Sequence, residues 1–250
     1  MRMSEQTIRE IVGTLAEAVN LDTKMVCVYG SDRKPENGTR SYSISTCLAS
    51  AMYLMAKDRI SGPLYAGYEQ DQPFCRCMGG PAWFGFVSFD PRLMSLLSSG
   101  SDELKGCTPK YLKEDCVVTK STICSVGKVT PLGRYVIMDC CSDIIDSMEV
   151  RCLVCFASGE QIRDLCALAH FGNNDAFGLI SIPWGPSCAT MVTYPAGMAE
   201  NAPAEEIFVG PTDPTTKEWL PKECMIMGIP MRTARRMAEN AGKSFLAKRI

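Results

Sequence analysis

The first half of the chain alternates between helical and extended hydrophobic patterns. Apolar residues at three- and four-residue spacing predict a helix over 4–20 and a second helix over 47–58. Short apolar runs bounded by polar or turn-forming residues predict strands near 24–29 and 63–68. A compact apolar helix or turn should then run to about Phe86.

The second half predicts a layered sheet. The runs 134–141 and 149–156 are continuously apolar, as buried strands are, and 158–172 is a helix that opens with a Ser N-cap and closes at a glycine. Further strands are predicted at 176–182, 205–210 and 224–230, with a helix starting at Pro186 and a basic amphipathic helix at 231–247. Alternating strands and helices favour an α/β (or α+β) fold, a layered mixed sheet flanked by helices. We expect one compact domain over 1–250, containing a polar insertion at 98–116 and a proline-rich loop at 200–223.

Composition and charge exclude several classes of protein. The net charge of −2 offers no general attraction to nucleic acid or to an anionic membrane, so neither is an expected partner. No stretch reaches the 18 apolar residues of a membrane span, and the first helix lacks the pattern of a signal peptide. We therefore expect a cytoplasmic protein whose partner is a small-molecule substrate or a redox partner. Homo-oligomer formation stays open.

The chain is rich in sulfur. It contains 14 cysteines and 15 methionines, and in a reducing compartment the cysteines are thiols rather than disulfides. Many of them could be small core hydrophobes. Since exposed reactive thiols are damaged in oxygen, their number suits an anaerobic host.

Histidine is nearly absent. His170 is the single histidine, so the chain cannot build a two-histidine zinc site, and any Cys-His or Ser-His pair must include this residue. It lies just before Gly172, where a helix should end, and a histidine there is favoured by the helix dipole and by the free carbonyls. A structural role is therefore the simpler interpretation.

Three cysteines share a predicted position at or near a helix N-terminus. They are Cys47, Cys77 and Cys188. Free N–H groups and the helix dipole stabilise a thiolate at such a position, and soft thiolates select zinc, copper(I) or iron–sulfur clusters. Gly79 and Gly80 could add backbone N–H donors to a cluster or an anionic ligand. Ordinary buried cysteines remain the alternative interpretation of the pattern alone.

Other cysteines have a plainer interpretation. Cys152 and Cys155 form a CxxC pair, but within a predicted strand their side chains point to opposite faces, so we interpret them as buried packing residues. The adjacent Cys140 and Cys141 are interpreted in the same way. Cys75 is too close in sequence to Cys77 for an unstrained disulfide.

The motifs STCLASAMYLMA, CMGGPAWFGF, GLISIPWGPSCATMVTYPAG and MGIPM resemble the uncharacterised ArCR family of archaea and anaerobic bacteria. The resemblance extends from about residue 20 to 235. The cysteine before the first helix, the Cys-x-Gly-Gly motif and the cysteine after the Gly-Pro turn of that family correspond to Cys47, to Cys77 with Gly79 and Gly80, and to Cys188. A further cysteine that the family sometimes has before the Gly-Ile-Pro strand is missing here. The resemblance implies a shared site and names no reaction.

These observations lead to one functional hypothesis and two alternatives. The chain is expected to bind a thiolate-ligated centre, first a 4Fe-4S iron–sulfur cluster and otherwise a metal such as zinc, through Cys47, Cys77 and Cys188, with Cys75 as a reserve ligand. Three ligands would leave a coordination position open, facing a cleft lined by residues 74–83 and the loop around 183–186. The alternatives are a binding or sensing module that uses the same thiols without turnover, and metal-free thiol catalysis by Cys77.

Overall fold

A computed structural model describes residues 6–45, 47–98, 110–140, 145–213 and 219–248. Within these residues one mixed eight-stranded sheet is flanked by helices, so the predicted α/β class is confirmed. The helices are α1 (Ile8–Ala18), α2 (Ser41–Ile44), α3 (Leu48–Ala56), α4 (Gly80–Trp83), α5 (Pro91–Leu97), α6 (Cys116–Ser125), α7 (Gly159–His170) and α8 (Met231–Ala241), with a π-helix at Ala189–Thr193 and 3-10 turns at Ile145–Ser147 and Phe245–Lys248. The strands are β1 (Val26–Ser31), β2 (Thr39–Arg40), β3 (Leu64–Gly67), β4 (Tyr135–Asp139), β5 (Cys152–Ser158), β6 (Ile180–Ser181), β7 (Ile207–Gly210) and β8 (Cys224–Pro230).

The sheet is antiparallel at its centre and parallel at its edges. Its strand order is β2-β3-β4-β1-β5-β8-β7-β6. The two-residue edge strands β2 and β6 pair in parallel with β3 and β7, whereas every other neighbouring pair is antiparallel. Short edge strands leave little exposed backbone for pairing with another chain.

The central strands are buried on both sides, and alternate residues serve two separate cores. In β5, Cys152 and Val154 pack into one core while Leu153 and Cys155 pack into the other. This two-residue alternation is what a strand imposes on its side chains. It also explains why these strands are continuously apolar in sequence.

One side of the sheet, which we call the helical face, is covered by α1, α7 and α8. Two of these helices begin with a reciprocal capping box, Thr7 with Glu10 in α1 and Ser158 with Gln161 in α7. Each cap satisfies two N–H groups that the first helical turn leaves free. The apolar stripe of α1 is fully buried at Ile11 and Leu15.

The other side, which we call the cavity face, is covered by shorter elements. α3 lies across it almost entirely buried, and α4 and the π-helix complete the layer. The Thr193 hydroxyl of the π-helix donates to the Trp83 carbonyl oxygen at 2.6 Å, a buried bond that joins the last two. The starts of these elements and the connections between them carry Cys47, Cys75, Cys77 and Cys188.

Some predicted boundaries differ from the structure. The segment after Pro186 forms a π-helix rather than an α-helix, and the strand predicted over 176–182 is reduced to two residues. Helices α5 and α6 are not predicted by the hydrophobic pattern. Residues 99–109, which make up most of the predicted polar insertion, and Cys141 lie outside the described residues. Within the described ranges, no helix combines the length and the apolar character that crossing a membrane would require.

Candidate functional site

The cavity face contains a cavity of about 630 Å³. It is enclosed by the start of α3, the segment from Phe74 to α4, the end of α5 and the turn that precedes the π-helix. All four cysteines predicted as ligands line it, as do the two predicted glycines: Cys47, Cys75, Cys77, Gly79, Gly80 and Cys188. Three segments that are distant in sequence therefore contribute to one site.

Each of the three motif cysteines does lie at a helix start. Cys47 is the N-cap of α3, with extended backbone, and its carbonyl oxygen accepts from Ala51 N–H at 3.0 Å. Cys77 precedes Gly79, the N-cap of α4, and Cys188 is the N-cap of the π-helix. The predicted placement is confirmed, although α4 is only four residues long and its dipole is correspondingly small.

The Cys77 sulfur has an environment that stabilises a thiolate. A hydrogen bond from the Cys75 thiol, the N–H groups of Gly79 and Gly80, and the charge of Lys110 together lower the pKa of Cys77 to about 6, although burial opposes this. The same contact with the Cys77 sulfur, together with burial, raises the pKa of Cys75. A negative charge on this pair is therefore favoured on Cys77 rather than on Cys75.

Close packing explains the glycine pair. A Cβ atom at position 80 would overlap the sulfur of Cys75. A Cβ atom at position 79 would come within 3.1–3.2 Å of the side chains of Leu93 and Trp83. Glycine is therefore needed here for close approach rather than for a left-handed backbone.

The turn that carries Cys188 is held by side-chain hydrogen bonds. The Thr212 hydroxyl donates to the Pro183 carbonyl at 2.8 Å and accepts from Gly185 N–H at 3.0 Å. The Tyr194 hydroxyl donates to the Trp184 carbonyl at 3.2 Å. Cys188 is close enough to Cys75 for its charge to contribute to raising the pKa of Cys75.

Arg40 anchors the chain that leads into Cys75. Its side chain is 13% exposed and pairs with Glu69 at 2.9 Å. The guanidinium also donates to three backbone carbonyl oxygens at 3.1–3.2 Å, those of Gly67, Gln72 and Pro73. A charged group with this many bonds fixes the path of the segment that delivers the paired cysteines.

The cysteines share a cavity without forming a compact single-ion site. Within the described ranges, no group of three or more His, Cys, Asp or Glu side chains is arranged to hold a metal ion. Thiolates that bind one tetrahedral zinc ion at about 2.3 Å lie about 3.8 Å from one another. The described cysteines do not meet that arrangement.

The CxxC cysteines of β5 and the histidine lie elsewhere. Cys152 and Cys155 are fully buried on opposite faces of β5, as predicted, and burial raises the pKa of both. His170 is the last residue of α7 and is not among the residues that line the cavity. Since the chain has no other histidine, a Cys-His pair is excluded at this site.

Comparison with known proteins assigns the chain to a family. The model of the uncharacterised ArCR family matches residues 14–240. The chain belongs to the uncharacterised ArCR family. No curated protein and no solved structure shows significant similarity to it. Membership in the ArCR family therefore agrees with the motif resemblance and assigns no activity.

Several cavity residues are not predicted from the sequence of this ArCR protein. Trp83, Trp184 and Trp219 form part of the wall, and Lys110 and Asp213 face each other across 3.7 Å. Lys110 lies within the predicted polar insertion and Asp213 within the predicted proline-rich loop, where no periodic pattern marks an inward-facing position. Among these residues, only the three tryptophans could be identified as candidates from the sequence, because large aromatic residues favour cavities and cores.

Proposed function

We propose that the cavity holds a cysteine-ligated iron–sulfur cluster of the 4Fe-4S type. Cys47, Cys77 and Cys188 would be its ligands, with Cys75 in reserve. The observation that supports this proposal is the meeting of these cysteines, from three distant segments, around one largely apolar cavity. Thiolates are the ligands that iron–sulfur clusters use, and a thiolate is stabilised at Cys77.

A cluster places several iron and sulfide atoms between its protein ligands, and the cavity of about 630 Å³ has room for them. The backbone N–H groups of Gly79 and Gly80 lie where they could donate to cluster sulfide or to the Cys77 sulfur. Such bonds tune the reduction potential of a cluster.

Three protein ligands would leave one iron open. An open position allows a metal centre to coordinate and polarise a substrate, which a fully ligated electron carrier cannot do. The proposed function is therefore substrate or redox chemistry at an open cluster, in the reducing cytoplasm of an anaerobe. A module that uses the same thiols for binding or sensing without turnover is the alternative.

Metal analysis tests this proposal. The full chain is purified without oxygen, and iron, acid-labile sulfide and zinc are measured per chain. We expect about four irons and four sulfides. Zinc without sulfide would replace the cluster by a zinc site, and the absence of all three would overturn the metal centre in favour of the thiol alternatives.

Matched cysteine variants test the ligand assignment. Cys47→Ser and Cys188→Ser should lose most of the iron, while Cys124→Ser should retain it, because Cys124 is exposed on α6 and does not line the cavity. Equal iron loss in all three variants would contradict the assignment. An added thiol or carboxylate should change the visible spectrum if one iron is open, and an unchanged spectrum would indicate a fully ligated cluster completed by Cys75.

A further inference from the structure

The cavity has room and walls suited to an organic molecule beside the proposed centre. Its volume of about 630 Å³ falls within the range typical of small-molecule sites. The lining is mostly apolar and includes every tryptophan of the chain. Leu93, Leu96, Leu97 and Leu112 add further apolar surface.

The charged side chains of the cavity favour an anion. Arg76 lies between the two paired cysteines on the wall, is exposed, and makes no hydrogen bond or ion pair within the described residues. The charge of Lys110 is close enough to Cys77 to contribute to lowering its pKa. The Lys110 Nζ lies 3.7 Å from the Asp213 Oδ2, which is long for an ion pair. The lining thus offers two cationic groups, Arg76 and Lys110, to an anion.

From this lining we propose that the cavity binds a small organic carboxylate with an apolar or aromatic body, held by Arg76 and Lys110 next to the cysteines. The inference deepens the proposed function. Only the role of the carboxylate as a substrate of the cluster rests on that function. The planar guanidinium of Arg76 can bind a carboxylate through two parallel hydrogen bonds. The tryptophan and leucine side chains would remove the apolar body from water.

A carboxylate fits this cavity better than a phosphate ester does. Arg76 and Lys110 supply two cationic groups, enough for the two oxygens of one carboxylate, whereas a phosphate group needs more donors. The backbone donors that could supply them, at Gly79 and Gly80, already point at the Cys77 sulfur. The apolar walls would also gain little from a strongly hydrated dianion.

Calorimetric titration of the anaerobically purified full chain tests the inference. The probe is 3-phenylpropionate, and 3-phenylpropanamide and inorganic phosphate are the comparison ligands. We expect binding of 3-phenylpropionate to be at least about tenfold tighter than that of either comparison ligand, since one charge-assisted hydrogen bond is worth a factor of this size. Because all three tryptophans line the cavity, bound probe should also change the tryptophan fluorescence. Equal binding of acid and amide would overturn the carboxylate assignment, and tighter phosphate binding would replace it by a phosphate site.

Charge-removing variants locate the bound group. Arg76→Gln and Lys110→Gln should each weaken 3-phenylpropionate about tenfold. Arg59→Gln should not, because Arg59 is an exposed arginine that does not line the cavity. Unchanged binding in both cavity variants would overturn the inference.

Titration before and after removal of the metal separates the two proposals. Carboxylate binding that persists after removal of a cluster would support the carboxylate site and leave the cluster standing, whereas carboxylate binding to a chain that contains no iron as purified would support the carboxylate site and contradict the cluster. A chain that contains iron and sulfide but fails to distinguish acid from amide would contradict the carboxylate site alone.

Discussion

The two faces of the sheet are built in different ways. The helical face carries three helices of 11 or 12 residues, two of them with capping boxes, and its buried residues form one continuous core. The cavity face carries shorter helices, a π-helix and irregular turns. Regular helices bury much apolar surface, but the side chains on one face of a helix are spread along its length. They do not converge on one point. The irregular elements bring cysteines from three distant segments to one place.

We therefore expect the two faces to contribute differently to stability and to binding. Side chains on the helical face should determine the free energy of unfolding and have little effect on a bound centre. Those on the cavity face should determine binding at a smaller cost in stability. Four predictions test the separation.

The largest effect on stability is expected for Leu165→Ala on the helical face. Leu165 lies in α7 and is fully buried. Removing it leaves a cavity and should lower the free energy of unfolding by about 2–5 kcal/mol, measured by urea denaturation. Iron and sulfide per folded chain should stay unchanged. Loss of iron from the folded variant would show that the two faces are coupled.

The second prediction compares alanine at two glycines. Gly80→Ala places a Cβ atom against the Cys75 sulfur, so we expect a loss of about 1–3 kcal/mol and of most bound iron. Gly13→Ala is the matched control, since nothing lies within 4 Å of its added Cβ in the middle of α1. The control should gain about 0.4–1 kcal/mol and keep its iron. A Gly80→Ala protein with normal iron content would show that the paired cysteines can shift without consequence.

The helical face could be predicted from the sequence far better than the cavity face. The positions of α1, α7 and strands β1, β4 and β5 follow from periodicity, and the Ser158 cap follows from its residue type. Two-residue strands cannot show a period, which explains why β2 is not predicted. Helix α6 is rich in β-branched residues and shows little separation of apolar from polar residues.

The candidate site was partly predictable for a different reason. Cysteines followed by helix-starting residues, together with the family motifs, indicate Cys47, Cys77 and Cys188. Arg76 and Lys110 belong to the same cavity but are polar residues in irregular segments, where long-range packing decides which way a side chain points. Such packing leaves no local pattern in the sequence.

The third prediction concerns the two cysteines of β5, whose side chains pack into opposite cores. Cys152→Ala and Cys155→Ala each remove one buried atom, so each should cost roughly 0.5–1.5 kcal/mol, the range for deleting one methyl-sized group. Neither residue lines the cavity, and iron content should stay at the level of the unmodified chain. Iron loss equal to that of Cys188→Ser would mean that the strand cysteines are ligands. Calorimetry and metal analysis on the same preparations supply both measurements.

The smallest effect is expected from the ion pair of Arg40 with Glu69, which anchors the segment that leads into Cys75 (the anchored cysteine segment). A hydrogen bond from the Tyr135 hydroxyl, followed by bonds from Arg40 and Lys34, lowers the pKa of Glu69 from its ordinary 4.5 to about 2, although burial opposes this. Because the pKa is lower in the folded chain, the stabilisation is fully present above pH 4.5 and is lost as the pH falls towards 2. The pair is partly exposed, which limits its contribution to about 1 kcal/mol or less.

Glu69→Gln isolates this contribution. At pH 7 the variant should unfold at slightly lower urea concentration than the unmodified chain, and the difference should shrink steadily between pH 4.5 and pH 2. A difference independent of pH would mean that shape rather than charge holds the segment. At neutral pH, weaker anchoring should loosen the chain before Cys75, so cavity thiols should be alkylated faster in the variant, whereas the buried Cys152 on β5 should react at an unchanged rate. Equal acceleration at both places would indicate general destabilisation and would remove the distinction between the anchored cysteine segment and the rest of the sheet.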